Sequence, residues 1–395
     1  MADDLEVSED PGLDTDIGEV SILRLRLTNF LSYKELDLDI GRLTALIGPN
    51  ASGKSNAVAA IKLLRDLPEY GLPTALARRG GFDQLRHRSS GRPYDPAIRL
   101  DFRYGSAKRS YYELALGALK GSRYKVKREQ AEVHIGLETL SFKREGDTVT
   151  WTEELDEPAR SAPREFRVPE GQSALSIAGF AGFLVYQVLQ TMQTIEVNPA
   201  TVGELQEPSS TREFAPDGSN VASIIEQMTP ADREELVTYV AAIVPGIVGL
   251  EVVHLADRHT IRFRQMTRNG NREFYAKQMS DGTLRALVIL LAALRPSRSR
   301  LLVIEEPETA IHLGALRSLI EILSEKSDEI QLLITTHSAD IVDALPVDAL
   351  RVVWNEDGVS RASIVAEHTV SVVRDGLMTP GELLMSDALD PAALV

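Results

Sequence analysis

The feature that most constrains this chain is the octapeptide Gly48-Pro49-Asn50-Ala51-Ser52-Gly53-Lys54-Ser55, which sits between an apolar run and a helical pattern. Before it, Leu43-Thr44-Ala45-Leu46-Ile47 reads as a short buried strand. After it, Ser55 to Leu67 carries Val58, Ile61, Leu64 and Leu67 at helical spacing and ends at Pro68. Strand, glycine-rich loop and helix is the order in which backbone amides can cradle phosphate. The glycines let the main chain approach the anion, and the helix N-terminus adds a favourable dipole. Lys54 is placed to reach the outer phosphates and Ser55 to hold Mg²⁺. The expected ligands are therefore ATP and Mg²⁺, with Gly48, Asn50, Gly53, Lys54, Ser55 and Asn56 as the phosphate-side residues.

The surrounding pattern predicts an α/β fold. Val20 to Leu27 alternates like a strand, and period two returns from about Ile98 to Trp151, implying an antiparallel sheet that reads as an inserted β-lobe. Residues 156–173 have loop composition, and 175–195 and 219–244 read as helices. Alternation from Glu251 to Arg264 precedes a helix from Ser280 to Leu294 that ends at Pro296. Leu301 to Ile304 is a buried strand, Leu313 to Lys326 a helix and Ile330 to Thr335 another strand, an alternation that implies a mostly parallel sheet. The expected division is an acidic tail (1–19), the N-terminal half of an ATPase core (20–105), an inserted lobe of β-strands and a helical lid (106–250), the C-terminal half of the core (251–370) and a tail (371–395).

Glu305-Glu306-Pro307-Glu308 follows directly on the 301–304 strand, where carboxylates face the crevice outside a parallel sheet. Glu305 is expected to help hold Mg²⁺ through water and Glu306 to polarise an attacking water, the alternative being an acidic surface turn. His337, after the next strand in Thr335-Thr336-His337-Ser338, is placed to contact a γ-phosphate or position water. Met279-Ser280-Asp281-Gly282-Thr283 leads into a helix, so Ser280 and the amides near Gly282 form either a second anion site or an ordinary helix cap. Two such sites in one subunit suggest head-to-tail exchange in a closed homodimer. His312 is either a dimer-interface residue or a helix-start residue, and Gln84 is a candidate sensor of Mg²⁺ or water.

Composition removes other classes. The chain has no cysteine, which excludes disulfides, thiolate zinc sites and cysteine nucleophiles and fits a reducing, cytoplasmic setting. No secretory signal or run of 18 apolar residues is present, so no membrane partner is expected. The net charge is −15, and eight acids with no base fall in residues 1–20. Between Arg78 and Arg128, by contrast, 14 Lys and Arg face four acids, either a DNA-phosphate surface or a solvated sheet face.

Taken in order, these motifs resemble the RecF and SMC branch of ABC-type P-loop ATPases, and within it the AAA-like ATPases with an AbiEii-type label. The resemblance rests on Leu27 to Tyr33, the phosphate loop through Asn56, Ser280 to Thr283, Ile304 to Glu308 and Thr336 to Ser338, together with Pro216 to Asn220 and Pro380 to Leu383. It implies that Lys54 and Ser55 bind phosphate and Mg²⁺, that Glu306 is the catalytic carboxylate, that His337 is the switch histidine and that Ser280 acts in trans. The chain departs from the broader pattern in having Ser280-Asp281-Gly282 for Ser-Gly-Gly and Glu305 for the usual Asp. There is no zinc-hook cysteine pair and no long heptad run, and 58 residues follow His337, too few for a fused nuclease domain. The resulting expectation is an ATP-driven switch in DNA maintenance or phage defence, acting on DNA or a partner protein. The alternative is an ATP-sensing module with little turnover that controls a separate effector.

Overall fold

The structure is a computed structural model and describes residues 19–88, 94–154, 164–211, 213–268, 270–294 and 300–393. The acidic tail, part of the 156–173 loop and the stop at Pro296 lie largely or wholly outside these residues. The chain opens with β1 (Val20–Phe30), β2 (Tyr33–Asp39), β3 (Leu43–Ile47), α1 (Lys54–Ala77) and α2 (Phe82–Leu85). There follow β4 (Ala97–Tyr104), β5 (Ser110–Ala118), β6 (Tyr124–Ile135), β7 (Glu138–Glu145), β8 (Thr148–Glu154) and β9 (Arg164–Arg167). Next come α3 (Gly179–Gln190), β10 (Met192–Ile195), α4 (Pro199–Gly203), α5 (Val221–Glu226) and α6 (Pro230–Ile243). A hairpin and a third strand, β11 (Ile247–Leu255), β12 (Arg258–Thr267) and β13 (Gly270–Tyr275), lead to α7 (Asp281–Leu294). The C-terminal part holds β14 (Leu301–Glu305), α8 (Leu313–Lys326), β15 (Gln331–Thr336), α9 (Ala339–Ala344), β16 (Leu350–Glu356), β17 (Val359–Ile364), α10 (Glu367–Arg374) and α11 (Pro380–Met385).

Two large sheets carry the fold. One is eight-stranded and antiparallel, in the order β2-β1-β4-β5-β6-β7-β8-β9. The other runs β10-β14-β15-β3-β16-β17 and is parallel except for its β16–β17 edge. A third sheet, β11-β12-β13, stands apart. The strands expected to form an inserted lobe continue the sheet begun by β1 and β2, and the division expected at 105/106 falls between β4 and β5, which are directly paired.

Two cores flank the parallel sheet, and the one that holds the antiparallel sheet also takes Leu46, Leu301, Val303, Leu333 and Val353 from the parallel sheet. Alternate residues of β1 and β4, such as Leu25, Leu27, Leu100 and Phe102, pack with α1 and α3. The parallel sheet packs with α5 to α9 through Ile47, Ile304, Leu287 and Leu323. Where β1 bulges between Ile22 and Arg24, the side chain of Gln331 stands in for a neighbouring strand. Its oxygen accepts from Ile22 N (2.7 Å), and its amide donates to Ile22 O (2.8 Å) and Gly41 O (3.1 Å).

Three helix expectations need correction. The helix after the phosphate loop does not stop at Pro68; it runs to Ala77, with a break at Gly71 (φ 73°, ψ 162°). Pro68 forgoes a single backbone bond near the end of the first segment, whereas the buried Leu72, Ala75 and Leu76 continue the apolar face beyond the break. The stretch 175–195 contains a helix followed by strand β10, whose Met192 to Ile195 pair in parallel with Leu301 to Ile304. The stretch 219–244 is two helices, because Thr229 caps a new one by accepting from Asp232 N and Pro230 takes its first position.

Candidate active site

Parallel register brings three loops together. Ile47 at the end of β3 is level with Thr336 of β15, and Thr335 is level with Glu305 of β14. The phosphate loop, the Glu306 turn and His337 therefore leave the same edge of the sheet, the edge at which open α/β sheets bind ligands.

The phosphate loop is tightly held. Gly48 (φ 150°) and Gly53 (φ 119°) adopt backbone conformations that side chains disfavour. A Cβ at Gly48 would lie 2.1 Å from Val353 O, and one at Gly53 2.2 Å from Ser360 Oγ. From the turn after β1, Ser32 accepts from Asn56 Nδ2 and from Ser360 Oγ, both at 2.6 Å, and its carbonyl accepts from Ser360 N at 2.8 Å. Buried Tyr33 donates to Gly53 O (3.1 Å). The Leu27 to Tyr33 segment is thus a brace for the loop. Lys54 is only 5% exposed, and its ammonium donates to Gly48 O (2.8 Å) and Pro49 O (2.9 Å). Burial lowers its pKa, and the charges of Glu306 and Glu308 oppose that shift. The lysine and the acidic turn therefore share one electrostatic field.

Glu306 has φ 45°, unusual for a non-glycine residue, and its N–H donates to Thr335 O (2.9 Å). Its carboxylate lies 3.8 Å from His337 Nδ1 and is half-exposed. Glu308 turns inward, where its Oε1 accepts from Thr336 Oγ1 (2.7 Å) and His337 N (3.1 Å) and lies 3.3 Å from His337 Nδ1. Arg285, one turn into α7, donates to Glu305 O (3.3 Å); burial lowers its pKa while Glu308 and Glu306 raise it. Ser52 Oγ, Thr335 Oγ1, Glu308 Oε2 and Arg285 Nε are buried without a hydrogen-bond partner. Such polar atoms are uncommon in cores, and here they belong to the segments that surround the loop. The residues fit a phosphate and its counter-ion: glycines where a Cβ would collide, a desolvated lysine, a helix N-terminus and carboxylates two strands away.

The sequence profile of the family described as "AAA domain, putative AbiEii toxin, Type IV TA system" matches residues 43–162 and 191–343. The chain belongs to this AAA family. A 43-residue stretch of this AAA protein is 54% identical to the chromosome partition protein Smc of Methanocaldococcus jannaschii, covering 11% of the chain and 4% of that much longer protein. In fold the AAA protein is similar to an Smc head bound to the C-winged helix domain of ScpA, with TM-score 0.59 and 12% identity over 88% of this chain and 99% of the other. It is also similar to the Pyrococcus furiosus Smc head bound to the C-terminal domain of ScpA, with TM-score 0.56 and 12% identity over 91% and 99%. The fold is that of an ABC-type P-loop NTPase.

Other expected positions of the AAA protein have visible local roles. Ser280 Oγ accepts from Thr283 N (3.3 Å) and pairs with Thr283 Oγ1 (2.9 Å), so it caps α7. Gly282 is where α7 meets the loop before α8, since a Cβ there would stand 2.2 Å from Ala310 O. His312 caps α8 by accepting from Gly314 N (3.2 Å), the helix-start reading. Glu305 is ion-paired with Lys62 (2.6 Å), which also reaches Glu196 (2.9 Å). Gln84 is exposed on α2, whose end is tied to the brace by Leu31 N donating to Leu85 O (2.8 Å). Asn50 is exposed on the loop and Ser55 in the first turn of α1.

The basic stretch is partly neutralised. Arg78 and Arg79 pair with Asp66, outside the stretch, while Arg99 and Arg109 pair with Asp101, Lys127 with Asp95 and Arg128 with Glu113. Lys108, Lys120, Arg123 and Lys125 are exposed. Sequence reasoning gave no role to Glu308, Arg285, Lys62 or Ser360. Glu308 was visible within the acidic motif, but Lys62 and Ser360 become meaningful only through contacts across hundreds of residues, and Arg285 through a contact with Glu305, 20 residues on. No helix among the described residues is long and apolar enough to cross a membrane.

Proposed function

We propose that this chain binds Mg²⁺-ATP at the phosphate loop and hydrolyses it to drive a conformational switch. The observation that supports this best is the strand register that brings the phosphate loop with Lys54, the Glu306 turn and His337 to one edge of the parallel sheet. Gly48, Asn50, Gly53 and Asn56 form or brace the cradle, and Lys54 binds and orients the outer phosphates. Ser55, Glu305 and Gln84 are the residues that would hold Mg²⁺, which when bound neutralises charge on the phosphate oxygens. Glu306 takes the proton of the attacking water, and its strained backbone, fixed by Thr335, aims the carboxylate outward. His337 steadies that water or the phosphate, and Glu308 positions His337 through its main chain.

In this reading two copies close head to tail, with Ser280 and Gly282 at the start of α7 capping the partner's nucleotide, and the closed pair acts on DNA or on a partner protein in DNA repair or antiviral defence. Glu306→Gln should cut turnover about 10²–10⁴-fold while nucleotide binding persists. In light scattering its mass should double with Mg²⁺-ATP. Unchanged turnover would remove Glu306 from the chemistry, and a constant monomer would remove the homodimer.

The Lys62–Glu305 ion pair favours a second reading, an ATP-sensing module with little turnover that controls a separate effector. Lys62 then restrains Glu305 until a partner arrives. Lys62→Ala should raise Mg²⁺-dependent turnover of the isolated protein under this reading and leave it level or lower under the first.

A further inference from the structure

Away from the phosphate loop, three side chains with metal-binding atoms converge where the β11–β12 hairpin turns. His254 and His259 are cross-strand partners, with ring centroids 4.2 Å apart in an edge arrangement. Glu226, the last residue of α5, places Oε1 2.7 Å from His254 Nε2 and Oε2 3.4 Å from His259 Nδ1. The three ligand atoms lie within 4.8 Å of one another.

His259 is the informative member. It is 6% exposed, and its main chain is fixed by two reciprocal bonds of 2.8 Å with Gln206. Its Nδ1 is buried beside the carboxylate without a hydrogen-bond partner. An Nε2–H of His254 donating to Glu226 would explain the 2.7 Å contact but would leave the His259 Nδ1 unsatisfied, a costly state for a buried polar atom. A cation shared by the three groups satisfies all of them. Two imidazoles and one carboxylate are a donor set suited to Zn²⁺ and neighbouring transition metals and poorly suited to Mg²⁺ or Ca²⁺. His254 and Glu226 are both exposed, which leaves the outer side open for water to complete the coordination.

We propose that Glu226, His254 and His259 bind one Zn²⁺-class transition-metal ion that clasps the β11–β12 hairpin to the end of α5. The site is separate from the nucleotide loop, and the chain has no thiol to compete for the metal. Metal-free, untagged full-length protein without nucleotide should be titrated with Zn²⁺ by calorimetry, with Co²⁺ absorption as a second readout and thermal melting as a third. One tight equivalent is expected, with a rise in Tm. Because loss of a supporting partner alone weakens metal sites about 10–100-fold, loss of a ligand in His254→Ala or Glu226→Gln should weaken binding at least about 100-fold. Both positions are exposed, so the metal-free melting of these variants should match the parent, and buried His259 need not be altered. His337→Ala should leave the tight equivalent in place. Absence of tight binding in the parent, equal affinity in His254→Ala, or loss with His337→Ala instead would each overturn the proposal.

Discussion

Replacing Gly53 by alanine probes how the phosphate loop is held in shape. At φ 119° an L-residue carries a backbone strain of about 1–3 kcal/mol. The new Cβ would also stand 2.2 Å from Ser360 Oγ and 2.6 Å from Ser360 Cβ. Ser360 has little freedom to retreat, because it is fully buried and holds Ser32 through both its N–H (2.8 Å) and its hydroxyl (2.6 Å). Overpacking of this kind adds about 1–3 kcal/mol, so Gly53→Ala should lose about 2–6 kcal/mol, against about 5–15 kcal/mol of stability for a typical domain. Ser360→Gly removes the obstructing atoms and loses one hydrogen bond, about 1 kcal/mol by itself. Combined with Gly53→Ala it should recover the steric share, giving a favourable coupling of about 1–3 kcal/mol in a double-mutant cycle. Urea unfolding followed by circular dichroism measures the four stabilities, and binding of a fluorescent nucleotide reports the loop itself. A coupling smaller than about 0.5 kcal/mol would refute the steric account of Gly53 and leave the backbone strain as the sole cost.

Glu308→Gln removes the charge that accepts from Thr336 and His337. With about 1.5–3 kcal/mol for a charged acceptor, kcat should fall about 10–100-fold while nucleotide affinity stays within about threefold, as steady-state kinetics and nucleotide titration would read. Glu129 is fully buried, accepting from Tyr112, Ser173 and Ala174 with Arg144 3.9 Å away, so Glu129→Ala should cost about 3–5 kcal/mol in urea unfolding by stranding Arg144.

The parallel half of the fold was legible because its signals are local. A buried run such as Leu301 to Ile304 followed by carboxylates, or Leu43 to Ile47 followed by a glycine-rich loop, needs no distant information. Strand β10 was hidden because Met192 to Ile195 follows a helix without a glycine or proline between them and becomes a strand only by pairing with β14. Pro68 misled because one missing N–H ended the helical reading where packing carries it on to Gly71 and beyond. In the site, Lys54, Glu306 and His337 declare themselves by the motifs around them. Ser360 looks like any serine in a strand until Ser32 and Gly53 are beside it, and Arg285 like any surface arginine of an amphipathic helix until α7 docks behind Glu305. Gly282, read as an anion contact, also has a packing reason that only the nearness of Ala310 reveals.

The position of β3 has a consequence for synthesis. This strand carries the phosphate loop, and its two lateral neighbours, β15 and β16, are encoded nearly 300 residues after it. At about 5–20 residues per second, a nascent chain holds Leu43 to Ile47 unpaired for about 15–60 s after it is made. Throughout that interval an apolar segment with open backbone groups is exposed to chaperones and to self-association. The loop after β3 does not meet its Ser360 brace until the polypeptide has been translated past that residue, so under the proposed function the holding of nucleotide would report that translation has passed that point.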